Sequence, residues 1–144
     1  MIIQKIPRLY IVLTIILLFL VSAAIPFRLV LAPERQIQVV DNNAKPIAHA
    51  VIRRAWYQYA LEIGGEEEFV SNSNGAVNLP VHKVGVNIIE FVLGILKQIR
   101  EVGIHASYST SESVAIFADN YEDKWLYDEE IVSAETVILN EKPE

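Results

Sequence analysis

The feature that most constrains this chain is an uncharged apolar run close to its N-terminus. The run extends from Leu9 to Phe27, and Arg8 and Arg28 bound it. As a helix, its 19 residues would rise about 28 Å, close to the hydrocarbon thickness of a bilayer, which is about 30 Å. The run therefore predicts a single N-terminal transmembrane helix, with residues 9–27 as the expected contact with the membrane.

The charges that precede this run predict its orientation. Lys5 and Arg8 favour a cytoplasmic N-terminus, which sends the rest of the chain across the membrane. The alternative is a cleaved secretory signal, because small residues at 22–24 could precede a cleavage site. We expect residues 1–32 to form a cytoplasmic tip with a transmembrane anchor, or a signal peptide. Residues 33–144 should then form an extracytoplasmic domain, periplasmic in a Gram-negative cell.

The remainder of the chain is acidic and contains no cysteine. From Pro33 onward, nine Lys and Arg residues face 18 Asp and Glu residues. A DNA or RNA partner is disfavoured because phosphate binding requires a basic surface. Without cysteine, the chain can form no disulfide, no thiolate metal site and no thiol nucleophile.

Alternating and β-branched segments indicate that the domain is mainly β. Residues 36–40 predict a first strand, and residues 41–46 a turn rich in Asn and Asp. Residues 47–61 predict a long strand with a bulge near Arg53 and Arg54. We expect an exposed, glutamate-rich loop at residues 64–68.

The second half continues the pattern of strands and turns. Asn74-Gly75 predicts a hairpin between residues 69–70 and 76–79, because both residues accept left-handed backbone angles. Further strands are expected at three segments, of which the first two should pair, and an acidic aromatic loop should occupy residues 119–130. The three segments are residues 104–108, 113–118 and 136–139.

One segment has a helical period instead. In residues 86–102, polar or small residues recur three and four positions apart and leave a broad apolar face, which predicts an amphipathic helix. Glu90 and the charges near its C-terminal end make this helix too polar to be a second membrane span. Its apolar face either packs on the sheet or, in part, meets a membrane surface or a partner.

Several of these pieces, in this order, resemble carboxypeptidase regulatory-like domains, which have a transthyretin-like β-sandwich fold. The resemblance rests on residues 37–41, on Lys45-Pro46-Ile47 and on residues 71–80. It implies a transthyretin-like or Ig-like sandwich with one inserted amphipathic helix, in a bacterial membrane-anchored protein. Ala44 departs from the pattern because such domains have Gly there, so the left-handed turn residues are expected among the neighbouring asparagines.

No catalytic, cofactor-binding or metal-binding residues are predicted. His49, His82 and His105 lack the spacing of a zinc site, and the sequence has no Gly-x-Ser-x-Gly motif. The acidic residues 119–130 lack the ligand order and the glycine of an EF-hand. We therefore expect a chain that is not an enzyme.

The preferred function is that of a single-pass membrane-anchored domain which serves as a binding or envelope-structural module. One alternative is an inhibitor or immunity-type protein that binds a basic partner through its acidic surface. Another is a small hydrolase that uses a histidine and a carboxylate. The candidate interaction surface combines apolar helix residues with the acidic loop: Phe91, Ile95, Asp119, Asp123, Trp125, Asp128 and Glu129.

Overall fold

The computed structural model describes residues 7–133 and 135–143. Strands hold 43% of the chain and helices 28%, which confirms the mainly β prediction. The helices are α1 (Arg8–Ala24), α2 (Ile88–Val102) and α3 (Glu129–Ser133), with a short 3-10 helix at Gly103–His105. The strands are β1 (Phe27–Ala32), β2 (Arg35–Asp41), β3 (Val51–Gln58), β4 (Ile63–Val70), β5 (Ala76–Leu79), β6 (His82–Val86), β7 (Thr110–Phe117), β8 (Lys124–Tyr127) and β9 (Thr136–Leu139).

Two sheets enclose the hydrophobic core and form a β-sandwich. The first has the strand order β5-β2-β9, and the second has the order β4-β3-β7-β8. Because successive side chains of a strand point to opposite faces, alternate apolar residues of both sheets meet between them. Among the fully buried members of this core are Ile37, Val39, Ile52, Ile116 and Leu139.

The turn at residues 41–46 is held by one carboxylate. Oδ1 of Asp41 accepts hydrogen bonds from the backbone N–H groups of Asn43 and Lys45, at 2.8 and 2.9 Å. The left-handed position is occupied by Ala44, with φ of 60°. The expectation that a neighbouring asparagine would take this conformation is wrong, because the Asp41 bonds fix the backbone with Ala44 at the tip.

The Asn74-Gly75 turn is present, but it does not form a hairpin. Strand β4 pairs with β3, whereas β5 pairs with β2 in the other sheet. Ser71 turns the chain between the sheets: its Oγ donates to the Ile47 carbonyl at 2.8 Å and accepts from the Ala50 N–H at 2.9 Å. The turn therefore connects the two layers of the sandwich, and the predicted hairpin is wrong.

Residues 64–68 form part of β4, so the predicted loop is wrong. The strand pairs in regular register with the whole of β3, which therefore lacks the bulge expected near Arg53 and Arg54. Arg53 is exposed and lies between Glu66 and Glu68, at 3.0 and 3.2 Å. These cross-strand ion pairs allow a glutamate run to lie in a strand.

The N-terminal apolar run forms a shorter helix than predicted. Helix α1 ends at Ala24, and β1 begins at Phe27 just after Pro26, which cannot continue a helix. Within residues 7–133 and 135–143, no helix has both the length and the apolar character needed to cross a membrane. The helix predicted over residues 9–27 is therefore corrected to Arg8–Ala24. Strand β1 pairs with β6 as a two-stranded ribbon.

The amphipathic helix is confirmed, and its first turn shows why it begins there. The Asn87 side chain accepts from the Glu90 N–H at 2.8 Å, while Glu90 accepts from the Asn87 N–H at 3.1 Å. This reciprocal capping box satisfies two otherwise unpaired backbone donors. None of the described residues of α2 is buried, so the helix lies on the outside of the molecule.

The segment after α2 differs from the predictions in two places. Residues 103–105 form a 3-10 helix, and no strand is present at 104–108, so β7 pairs with β3 and β8 instead. The predicted loop 119–130 contains β8 and the start of α3. The closing strand is confirmed as β9, which runs parallel to β2.

Candidate ligand pocket on the outer sheet face

The outer face of the four-stranded sheet has a strip of small residues between aromatic ones. Its centre is formed by Ala55 of β3 and by Ser111 and Ser113 of β7, all on the face directed away from the core. Tyr57 lies on the β3 side of this strip, and Tyr127 of β8 lies directly across from Ser113. The small central residues leave a depression between the two tyrosines.

This depression is a pocket of about 360 Å³. Its volume lies within the range of about 300–1,000 Å³ that is typical of small-molecule sites. The residues that line it are Ala55, Trp56, Tyr57, Tyr59, Ser111, Glu112, Ser113, Tyr127 and Asp128.

The separation of the aromatic walls follows from the strand order. Since β7 lies between β3 and β8, the strands that carry Tyr57 and Tyr127 are two spacings apart, about 9.6 Å. Tyr59 packs edge-on against Tyr57, with ring centroids 5.1 Å apart and planes at 77°, and so supports that wall. Because Tyr57 pairs with Ser111 and Tyr127 lies across from Ser113, the two tyrosines are also offset by two residues along the strands.

A carboxylate is held at one end of the pocket. The Glu112 N–H donates to Oδ1 of Asp128 at 2.8 Å, and the Asp128 N–H donates to the Glu112 carbonyl at 3.1 Å. Oδ2 of Asp128 and the hydroxyls of Ser111 and Ser113 have no hydrogen bond among the described residues. These oxygens are free to bond the hydroxyl groups of a ligand.

A buried ion pair supports the pocket from below. Arg54 is fully buried, and its Nε donates to Oε1 of Glu112 at 2.6 Å. The Arg54 guanidinium also donates to the carbonyls of Pro80, at 2.6 Å, and Pro33. On the other side, Oε2 of Glu112 lies 3.5 Å from Arg35. Because Arg54 and Arg35 hold its carboxylate, Glu112 is fixed under the pocket and its main chain can position Asp128.

The three histidines are not brought together. Nε2 of His82 lies 2.9 Å from Oε2 of Glu67, and the His82 ring stacks on Trp56 at 4.2 Å between centroids. His49 is in the turn before β3 with φ of 61°, and His105 ends the 3-10 helix. Within the described residues, no group of three or more His, Cys, Asp or Glu side chains could hold a metal ion.

The residues of the predicted interaction surface lie on separate elements. Phe91 and Ile95 are half-buried on α2. The others are exposed around β8: Asp119 and Asp123 in the loop before it, Trp125 within it, and Asp128 and Glu129 at its end. Trp125 packs edge-on against Phe117, at 6.0 Å between centroids. Asp128 alone among these residues lines the pocket.

Sequence reasoning missed most of the pocket. No sequence signal places Ser111 and Ser113 beside Tyr57 and Tyr127. The alternation of residues 110–117 could have shown which side chains share a face. The order β4-β3-β7-β8 is a long-range property, and only the fold supplies it.

Comparisons with known proteins concern the fold only. The sequence matches no protein-family model and no curated protein. Among solved structures, wild-type catechol 1,2-dioxygenase from Acinetobacter radioresistens is similar with a TM-score of 0.51 and 11% identity, over 80% of this chain and 53% of that one. Hydroxyquinol 1,2-dioxygenase from Pseudomonas putida DLL-E4 is similar with a TM-score of 0.49 and 10% identity, over 76% of this chain and 56% of that one. The chain thus spans about half the length of these dioxygenases.

This likeness contradicts the function predicted from the sequence. The sandwich has a fold that is also found in an enzyme, as the wild-type catechol 1,2-dioxygenase with a TM-score of 0.51 shows. The prediction of a purely membrane-anchored binding or envelope-structural module is therefore wrong, and its inhibitor and hydrolase alternatives are not retained. At this identity the likeness shows the fold alone, so a function has to be argued from the site.

Proposed function

We propose that the outer face of the four-stranded sheet recognises a small molecule built on a hydroxyl-bearing six-membered ring. The observation that carries this proposal is the pocket between Tyr57 and Tyr127, with Ser111 and Ser113 at its base and Asp128 at its end. Tyr57 is 40% exposed and Tyr127 is 55% exposed, so both rings are available for contact.

The proposed chemistry combines stacking with hydrogen bonding. An aromatic side chain offers an apolar face to a planar phenolic ring or to the C–H face of a sugar. The serine hydroxyls donate or accept hydrogen bonds, and ionised Asp128 accepts them. A ring with several hydroxyls can use both kinds of contact at once, whereas an apolar ring would leave the carboxylate without a partner.

Titration of the full chain with defined probes tests this proposal. Catechol represents the phenolic source of such a ring, glucose represents the sugar source, and benzene is the control without hydroxyls. We expect one of the two hydroxylated probes to shift the NMR signals of the tyrosine rings of the pocket, and benzene to leave them unchanged. The probe that binds then identifies the source of the ring.

Two exposed aromatic residues on β8 provide a matched pair of variants. Tyr127 lines the pocket, whereas Trp125, two residues away on the same face and 51% exposed, does not. Aromatic stacking is worth about 0.5–1.5 kcal/mol, so Tyr127→Ala should weaken binding by about 2- to 13-fold. Trp125→Ala should leave it unchanged. Equal effects of the two substitutions, or no binding of either hydroxylated probe, would refute the proposal.

We also propose that residues 9–27 contact a membrane. The apolar side chains from Leu9 to Val21 are 49% to 68% exposed, and Lys5 and Arg8 precede them. Secretion after signal cleavage is the alternative. Sedimentation with membranes after a high-salt wash separates the two, since a cleaved domain would stay in solution.

Three further proposals concern the family, enzymatic turnover and nucleic acid. The carboxypeptidase regulatory-like resemblance is supported by the β2 strand and by the turns at Asp41 and Asn72, both of which have side-chain bonds to their backbone. The absence of enzymatic turnover stays a prediction, and so does the absence of a nucleic-acid partner. Incubation with the ring probe that binds, followed by product analysis, tests turnover directly.

A further inference from the structure

We propose that α2 is an interfacial helix whose exposed apolar stripe enters the surface layer of a lipid bilayer beside α1. The inference extends the proposed membrane contact of residues 9–27 and partly rests on it. The apolar stripe of α2 is the set of large side chains that are 40% to 56% exposed along one side of the helix: Ile88, Ile89, Val92, Leu96, Ile99 and Val102.

The stripe faces away from the sandwich. The opposite side of α2 contacts the loop between β3 and β4. There, the backbone of Gly94 lies so close to the Ala60 carbonyl that an added Cβ would be 1.9 Å from its oxygen. Nζ of Lys97 lies 2.6 Å from Oε2 of Glu62 on the same loop. Because this contact fixes the rotation of the helix about its axis, its apolar stripe is directed outward.

The ribbon places both apolar helices at the same end of the molecule. Phe27, the first residue of β1, pairs with Val86, the last residue of β6. Helix α1 ends at Ala24, just before this pair, and α2 begins at Ile88, just after it. The two helices also contact each other.

A lipid surface covers this region better than a protein does. Of the described residues of α1, Ala23 alone is buried, and the large apolar side chains are exposed around the whole circumference. A second copy or a protein partner would cover one side of such a helix, whereas lipid surrounds it. The stripe of α2 contains no carboxylate, and Arg100 beside it is 79% exposed, as suits a side chain that extends to the headgroups.

The absence of cysteine from the sequence makes a direct test possible, because one introduced cysteine gives one labelling site. Three full-length variants, Leu17→Cys in α1, Leu96→Cys in α2 and Ile138→Cys in β9, each receive an environment-sensitive fluorophore. They are mixed with vesicles of phosphatidylcholine and phosphatidylglycerol, with or without brominated acyl chains. Ile138 is the matched control because it is 54% exposed and Leu96 is 56% exposed.

The expected result is that brominated lipid quenches the label at position 96 and that aqueous iodide quenches it several-fold less than the label at position 138. Equal iodide quenching at both positions would overturn the inference. So would shielding from both quenchers at position 96, since a protein would then cover the stripe. The label at position 17 reports the membrane contact of α1 separately, so that contact can stand when the inference about α2 fails.

A charge placed in the stripe provides a second readout on the same vesicles. Leu96→Glu should move a label at Ile99→Cys out of the lipid, because a carboxylate is disfavoured in the apolar layer. Ile138→Glu, at the exposed position of β9, should leave that label in place. If brominated lipid quenches the label at position 99 equally with and without Leu96→Glu, the helix does not lie in the bilayer surface.

Discussion

The sandwich and the arm use apolar residues in opposite ways. The arm comprises α1, the ribbon of β1 and β6, and α2. In the sandwich, Ile37, Ile52 and Ile116 are completely buried between the two sheets. In the arm, Leu17 is 61% exposed and Leu96 is 56% exposed. Sequence hydropathy alone does not distinguish these cases, because what decides is whether a second layer of the same chain covers the side chain.

The two regions nevertheless share one register of strand pairing. Ala32 pairs with His82 in the β1–β6 ribbon, and Arg35 pairs with Leu79 in the β2–β5 pair, so one ladder follows the other with a break near Pro33 and Pro80. Proline has no N–H to donate, so a ladder bends or ends at such positions. The guanidinium of Arg54 donates to the carbonyls of both prolines, so it ties the base of the arm to the core of the sandwich.

The largest loss in the free energy of unfolding is expected where the sandwich and the arm meet. Glu112→Ala would leave the fully buried Arg54 charge without its carboxylate, and breaking a buried pair costs about 3–5 kcal/mol. Chemical denaturation measures the loss in the free energy of unfolding. The control is Glu68→Ala, which breaks the exposed ion pair of neighbouring Arg53 and should cost about 0–1 kcal/mol. Similar losses in the two variants would show that the buried pair of Arg54 and Glu112 stabilises the fold no more than the exposed pair does.

One alanine substitution in the sandwich and one in the arm test this difference in burial. Ile52→Ala removes a completely buried side chain from the core and should lower the free energy of unfolding by about 2–5 kcal/mol. Leu96→Ala, in the exposed stripe of α2, should change it by less than about 0.5 kcal/mol in the absence of lipid. A loss of several kcal/mol in Leu96→Ala would mean that α2 is part of the folded core, contrary to the comparison.

Local sequence signals predicted much of the sandwich but little of its assembly. The alternation at residues 36–40 and 136–139 identified β2 and β9, and the three- and four-residue spacing identified α2. The run of glutamates at residues 66–68 predicts an exposed loop, but these residues lie in β4 and pair with Arg53 and His82, which are distant in sequence. Both the ribbon and the pocket depend on such long-range pairing, so no local pattern revealed either of them.

Two glycines with positive φ angles give a smaller contrast. Gly75 in the sandwich has φ of 73°, and Gly103 at the end of α2 has φ of 66° with ψ of −133°. Alanine at either position should cost about 1–3 kcal/mol, because a residue with a Cβ disfavours these backbone angles. An added Cβ at Gly75 would also lie 2.3 Å from the Val39 carbonyl oxygen, whereas the space around Gly103 is open. Both substitutions should therefore lower the unfolding temperature, Gly75→Ala through backbone strain and a steric clash, and Gly103→Ala through backbone strain alone. An unchanged unfolding temperature in Gly75→Ala would exclude a contribution from the close approach.

The smallest change in stability is expected for the contact between Lys97 and Glu62, which orients α2. The hydrogen bond and the negative charge of Glu62 raise the pKa of the Lys97 amine above its usual value of 10.5, although partial desolvation opposes them. Because the pKa is higher in the folded state, the contact contributes its full stability below about pH 10.5. That contribution is lost as the pH rises through the raised pKa. An NMR titration of the Lys97 side chain measures this value, and Glu62→Gln should lower it. A pKa that stays the same in Glu62→Gln would show that this contact does not hold the helix, leaving Gly94 as its anchor on the sandwich.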